Sequence, residues 1–204
     1  LIDRSRSMAE DREYVNDTRT RLDWAKAGAR GFVALQSGAG VEVGLISFAR
    51  DTRLDRGLAP VEPDGSPLPG VHEVSEFQDD VDALEALGAT AIGDALALAR
   101  DTFAAEPAGR TQAVFLLSDG ENTAGDADPR TLADELRAAG IPVYTLPVGD
   151  AADGNLLAHI AEETNGEVYD APSALELPAI YADLYARLRG ETPLFTRTPL
   201  ELPP

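Results

Sequence analysis

Strand-like and helix-like stretches alternate along this chain almost without exception, and that alternation limits the fold more than any other feature. Leu22, Ala25, Ala29, Phe32, Val33 and Gln36 recur at helical spacing and predict a helix over about 19–37, stopped by Ser37-Gly38-Ala39-Gly40. Val41 to Ala49, VEVGLISFA, is a mostly apolar, β-rich run that reads as a buried strand. Asp51 to Ala59 reads as a hairpin partner or edge strand, and residues 60–74, with four prolines and two glycines, as a surface loop or insertion. Phe77, Val81, Leu84 and Leu87 mark a short helix ended by Gly88. Ile92, Ala95, Leu96, Ala99 and Phe103 mark a stronger one, closed by Pro107 and Gly109. Gln112 to Leu117 is a second buried strand, and Pro129 and Gly140 bracket a helix over about 129–139. Pro142 to Val148 is a third strand. A helix carrying Leu156, Leu157, Ile160 and Ala161 follows, ended by Asn165-Gly166, then a short last strand over 167–169. Ser173 with Glu176 fits a capping box ahead of a final helix that starts at Pro178, carries Ile180, Leu184 and Leu188, and ends at Gly190. Such alternation implies an α/β fold: a three-layer, doubly wound, mostly parallel sheet with helices on both faces. In sheets of this kind ligands bind beyond the carboxyl ends of the strands, where strand order reverses.

The first eight residues bear on that crevice. Leu1 and Ile2 end a strand, and Asp3, Ser5 and Ser7 follow at every second position. In extended chain these point to one side, so a carboxylate and two hydroxyls converge. This is an all-oxygen set suited to a hard cation such as Mg²⁺ or Ca²⁺. Asp and Ser are also ordinary turn residues, so the triplet gains weight only from matching donors elsewhere. Asp119, just after the second buried strand, and Thr90, just before a helix, fall where they reach the same crevice.

Composition narrows the function. The formal charge of −19 repels nucleic acid and anionic membrane, so neither is expected as a partner. No apolar run approaches the roughly 20 residues that span a bilayer, which argues against membrane insertion. There is no cysteine, which excludes disulfides, zinc–thiolate sites and a thiol nucleophile. With two histidines, His72 and His159, no transition-metal site is expected either. Lys26 is the only lysine, a bias that fits a GC-rich genome or a salt-adapted host. The chain opens without Met, as if at the last turn of a strand, and reads as part of a larger polypeptide. Residues 191–204, with four prolines, read as a linker or the lead-in to another domain.

Asp3-x-Ser5-x-Ser7, Thr90 within Gly88-Ala89-Thr90, and Asp119 within LLSDG together resemble the metal-ion-dependent adhesion site of von Willebrand factor type A domains, a site that integrin I domains share. The resemblance covers about 1–190 and implies a doubly wound sheet. It implies that Ser5 and Ser7 ligate the metal through Oγ, that Thr90 ligates directly or through water, and that Asp3 and Asp119 hold coordinating waters or ligate in turn. Mg²⁺, or Ca²⁺ or Mn²⁺, is the implied ion. Neutral hydroxyls leave such a cation under-neutralised, so it keeps an open position for a Glu or Asp carboxylate of a protein partner.

Two features depart from the family pattern. Arg6 stands where the family often has Gly, and is expected to weaken metal binding or to help recruit an acidic ligand. Of the strand before Asp3, central in that fold, only Leu1 and Ile2 remain. The SDGENT turn and the end LYARLRG are similar to bacterial secreted or surface members, which implies an extracellular or cell-surface setting, with a cytoplasmic one left open.

Other residues have plainer readings. Thr90 also suits a helix N-cap. Asp94 reads as an acid on the helix face, Glu121, Asn122 and Thr123 as residues shaping a turn, Asp126 and Asp128 as solvated loop, and Asp150 and Asp153 as turn and cap. Trp24, Tyr181 and Tyr185 read as packing residues. Two other functions compete with a non-enzymatic adhesion module: an intracellular type A subunit partnering an AAA+ ATPase, and a Mg²⁺-dependent phosphotransferase. The latter is disfavoured because position 5 is Ser where a DxD pair needs Asp, and because Lys26 is the sole lysine.

Overall fold

A single sheet with the strand order β4-β3-β2-β1-β5-β6 forms the centre of the molecule in this computed structural model, which describes residues 1–10, 19–107, 109–148 and 154–169. The strands are β1 Ile2–Asp3, β2 Glu42–Phe48, β3 Thr52–Glu62, β4 His72–Glu73, β5 Val114–Ser118 and β6 Val143–Pro147. The helices are α1 Arg21–Gln36, α2 Val74–Asp82, α3 Ile92–Ala104, α4 Pro129–Ala138 and α5 Gly154–Glu163, with a 3₁₀ turn at Arg6–Ala9. All neighbouring strands are parallel except β2 and β3, which form an antiparallel hairpin. A parallel bridge from Val168 to Thr145 continues the sheet beyond β6, where the short last strand is expected.

Side-chain alternation builds a core on each face. Val43, Leu45 and Leu117 face Leu22, Ala25, Ala29 and Val33 of α1 and Phe77 and Val81 of α2. Ile46, Phe48, Val114 and Leu116 face Ile92, Leu96 and Ala99 of α3, Leu132 and Leu136 of α4, and Leu157 and Ile160 of α5. The split follows strand parity, as a two-residue period requires. Trp24 lies in the first core, as expected. The doubly wound sheet is therefore as the sequence implies.

Two boundaries differ. The hairpin strand runs on through Pro60 to Glu62, and β4 lies within the expected loop. Pro60 is tolerated because it pairs with Glu42, the first residue of β2, at the end of that ladder, where a missing N–H removes little. The helix expected to reach Leu87 stops at Asp82, and Leu87 is about half exposed. Its backbone instead turns toward β1, Leu87 N donating to Arg4 O at 2.7 Å. The expected capping box at Ser173, the final helix with Tyr181 and Tyr185, the 191–204 linker, and Asp150 and Asp153 lie outside the described residues.

The short β1 is the strand from which the chain winds both ways. Ile2 pairs with Ser47 of β2 on one side and Leu117 of β5 on the other. Strand order reverses here, so the carboxyl ends of β1, β2 and β5 open onto one crevice. At the opposite end, beyond Leu1, β2 and β5 flank an apolar cavity of about 380 Å³ lined by residues that include Phe32, Val43, Leu45 and Phe103.

Candidate metal centre

The crevice is made by three chain segments laced together through the backbone. Past Asp3, Arg4 N donates to Phe48 O at 2.8 Å, and Arg6 N to Gly88 O at 3.1 Å. Ala91 N donates to Ala49 O at 2.8 Å, fixing the start of α3 to the end of β2. From the third segment, Thr123 N and Ala124 N donate to Thr90 O at 2.8 and 3.0 Å. Asp3, Ser5, Thr90 and Asp119 are buried and Ser7 is half-buried.

Asp3, Ser5 and Ser7 converge by a different route from the one their alternation predicts. The strand stops at Asp3, and Ser7 sits in the 3₁₀ turn. Ser5 is extended, and its N–H donates to Asp3 Oδ1 at 2.8 Å, an Asx turn that bends the chain. The outcome is close approach: Ser5 Oγ and Ser7 Oγ lie 3.0 Å apart and share a hydrogen bond. Of the intervening arginines, Arg4 is buried, reaching Ser47 Oγ at 3.3 Å and Asp51 Oδ2 at 2.8 Å, while Arg6 is exposed.

Asp3 is held by Ser118 as well as by Ser5, with Ser118 Oγ donating to Asp3 Oδ2 at 2.5 Å. Burial pushes the Asp3 carboxyl up to about 6. The bonds from Ser118 and Ser5 oppose that rise, and the nearby Asp119 charge adds to it. Asp119 Oδ2 accepts from Arg21 Nη1 at 3.1 Å.

Thr90 does not cap α3. The cap position is Ala91, and Asn122 Oδ1 accepts from Ile92 N at 2.8 Å in its place. Thr123 Oγ1 accepts from Thr90 N at 3.0 Å, so Asn122 and Thr123 shape the turn as expected. Asp94 accepts from Asp126 N at 3.1 Å and Ala127 N at 2.9 Å, and Asp128 caps α4. His72 lies against Gly57 O, at 2.7 Å. Among the described residues no three His, Cys, Asp or Glu side chains cluster; the crevice brings the carboxylates of Asp3 and Asp119 together with hydroxyl residues.

Sequence reasoning passed over Ser118 and Arg21. Ser118 lay within the quoted LLSDG, but nothing in its spacing marks it as a partner of Asp3. Arg21 carried one signal: a cation in the first turn of a helix opposes the helix dipole, which suggests a role other than helix stability.

The model of the von Willebrand factor type A domain matches residues 1–183. The chain belongs to that family. Type A domains are generally protein-interaction modules, and those with an adhesion site bind divalent metals. Over 145 residues, 64% of its length, the chain is 29% identical to human inter-alpha-trypsin inhibitor heavy chain H6, and it spans 11% of that relative. An aerotolerance-related membrane protein from Bacteroides fragilis shares the fold with a TM-score of 0.71 and 19% identity, over 92% of this chain and 96% of that one. Proximal thread matrix protein 1 from the mussel byssus, solved with zinc in its adhesion motif, does so with a TM-score of 0.65 and 23% identity, over 89% of this chain and 42% of that one. Among the described residues of this type A domain, no helix is long and apolar enough to cross a membrane.

Proposed function

We propose that this type A domain is a non-enzymatic, divalent-metal-dependent binding module. Asp3, Ser5, Ser7, Thr90 and Asp119 hold Mg²⁺, or Ca²⁺ or Mn²⁺, and the ion takes a Glu or Asp carboxylate of a protein partner. The observation that carries this reading is the meeting of the Ser5 and Ser7 hydroxyls, 3.0 Å apart, in a crevice that also buries two carboxylates. The donor set fits a hard cation, being all oxygen. Asp3 supports the fit, because a buried carboxylate with a like charge nearby is relieved by a cation. The zinc-occupied motif of the mussel protein supports it by analogy of fold. When bound, the metal supplies an electrophilic position for an anionic ligand. The chain's own part is to orient Asp3 through Ser118 and Ser5, to fix Thr90 through Thr123 and Ala124, and to hold Asp119 through Arg21.

Thermal unfolding with EDTA, Mg²⁺, Ca²⁺ or Mn²⁺ tests the site, since a ligand that binds only the folded state raises its stability. The expected result is a metal-dependent rise in Tm in the wild type and none in Asp119→Ala. Binding of an acidic peptide is then expected to vanish on chelation, and binding that survives EDTA would overturn the reading.

A further inference from the structure

Arg21 begins α1, and its side chain is only 12% exposed. One nitrogen, Nη1, donates to Asp119 Oδ2 at 3.1 Å and to Ser7 O at 3.3 Å, and also lies 3.2 Å from Glu10 Oε2 in an ion pair. Its Nε is buried and has no hydrogen-bond partner among the described residues. The Arg21 N–H donates to Glu10 O at 3.0 Å, so the root of the side chain is pinned as well. Glu10 is 66% exposed and Asp119 only 7%, so the buried contact dominates and the rim pair is screened. Other cations near the crevice act differently: Arg4 is occupied by Asp51, and Arg6 is exposed.

We propose that Arg21 is a tethered counter-cation on Asp119 that leaves the metal-bound centre one positive charge in excess, and so sets its demand for a partner carboxylate. This rests on the metal-binding reading above. The charges make the case. Asp3 and Asp119 together match a dication, and with both ionised the centre is neutral if Arg21 is left out. Adding Arg21 gives the buried groups a net charge of one positive unit, where charge is weakly screened, the solvent-exposed Glu10 lying outside this count. Two consequences follow in opposite directions. Arg21 opposes entry of the metal, and it favours an anion once the metal is in. A neutral side chain at 21 therefore separates two affinities that a merely structural arginine would lower together.

The test uses Mn²⁺ alone, titrated into the full chain and followed by calorimetry. Acetate is then titrated into the Mn²⁺-saturated protein, with displacement of Mn²⁺-bound water followed by proton relaxation. For Arg21→Met, Mn²⁺ affinity is expected to rise on the order of tenfold and acetate affinity to fall on the order of tenfold. Arg21→Lys, which keeps the charge, is expected to stay near wild type in both. Arg21→Gln gives the same reading as Arg21→Met should the latter not fold, because it is also neutral. If the wild type binds no Mn²⁺, the metal-binding reading fails and this inference with it. If the wild type binds Mn²⁺ but the neutral variants leave both affinities unchanged, or lower both, the Arg21 inference alone is overturned.

Discussion

Ser118 Oγ bridges the end of β5 to the carboxylate at the end of β1, donating to Asp3 Oδ2 at 2.5 Å while accepting from Gly120 N at 3.0 Å. The two residues are 115 positions apart, and their bond joins the central strand to the loop that carries Asp119. A hydrogen bond to a charged group contributes about 1.5–3 kcal/mol. Ser118→Ala is expected to destabilise the protein by about that amount at pH 8 in urea titrations. Mn²⁺ affinity in the same variant is expected to fall by about 10–100-fold, as for other residues that orient a ligand. Unchanged affinity would show that Asp3 needs no such orientation.

The raised pKa of Asp3 makes a signed prediction for the metal-free protein. Its carboxyl titrates near 3.8 when unfolded and near 6 when folded, chiefly because burial disfavours the charge. Between those values the folded state binds more protons, so this group's contribution to stability falls as pH rises from about 4 to about 6 and is level above. The full change is about 3 kcal/mol. Other carboxylates titrate in the same window, so the informative quantity is the difference between wild type and Asp3→Asn. In EDTA, urea unfolding from pH 4 to 7 is expected to show Asp3→Asn gaining on the wild type as pH rises. Parallel curves would refute a buried, strained carboxylate at this position.

The glycines separate close approach from empty space. A Cβ on Gly93 would sit 1.9 Å from Ala127 O and 2.7 Å from its carbonyl carbon, both backbone atoms that cannot swing aside. Gly93→Ala is therefore expected to destabilise by about 3 kcal/mol or more. Gly31, also within a helix, has nothing among the described residues within 4 Å of such a Cβ. Gly31→Ala is expected to stabilise by about 0.5–1 kcal/mol through helix propensity and a less flexible unfolded chain. Differential scanning calorimetry on the pair reads both signs, and a stable Gly93→Ala would mean that the loop over α3 is not held as described.

The fold was legible because its signals are repeated and local. The apolar, β-rich runs VEVGLISFA and QAVFLL, and the helical spacing from Leu22 to Gln36, each carry their own evidence. Pro60 misled because a proline's meaning depends on where in a ladder it falls, and that is a tertiary fact. The five candidate residues could be picked out as a set through their resemblance to a known motif, but their geometry was not legible. Period-two alternation suggested an extended Asp3–Ser7, whereas the Asx turn and the 3₁₀ turn bring the hydroxyls together. Partners distant in sequence, such as Ser118 for Asp3, Arg21 for Asp119 and Asn122 for the start of α3, leave no periodic trace. Each is a single polar residue whose role exists only once the strands are ordered.

Asp94 ties the last of these long-range arrangements together. Its Oδ1 accepts from Asp126 N and Ala127 N, and a Cβ on Gly125 would come within 2.9 Å of its carboxylate, so glycine at 125 lets the loop close over it. The same loop lends Asn122 Oδ1 to the N-terminus of α3 and Thr123 Oγ1 to Thr90 N. The aspartate thus satisfies two loop donors from the first turn of α3, where its negative charge also suits the helix dipole. Asp94→Ala leaves those donors to solvent and is expected to lower stability by about 1–2 kcal/mol. Hydrogen exchange at 123–127 is expected to quicken more than exchange in β5, since the loop is released and the sheet is not. Because Thr90 is anchored by this loop, Mn²⁺ affinity is expected to fall as well. Asp94→Asn, which keeps an acceptor oxygen, is expected to recover most of the exchange protection and metal affinity. Equal losses in both variants would point to the charge of Asp94, rather than its hydrogen bonds, as what holds the loop.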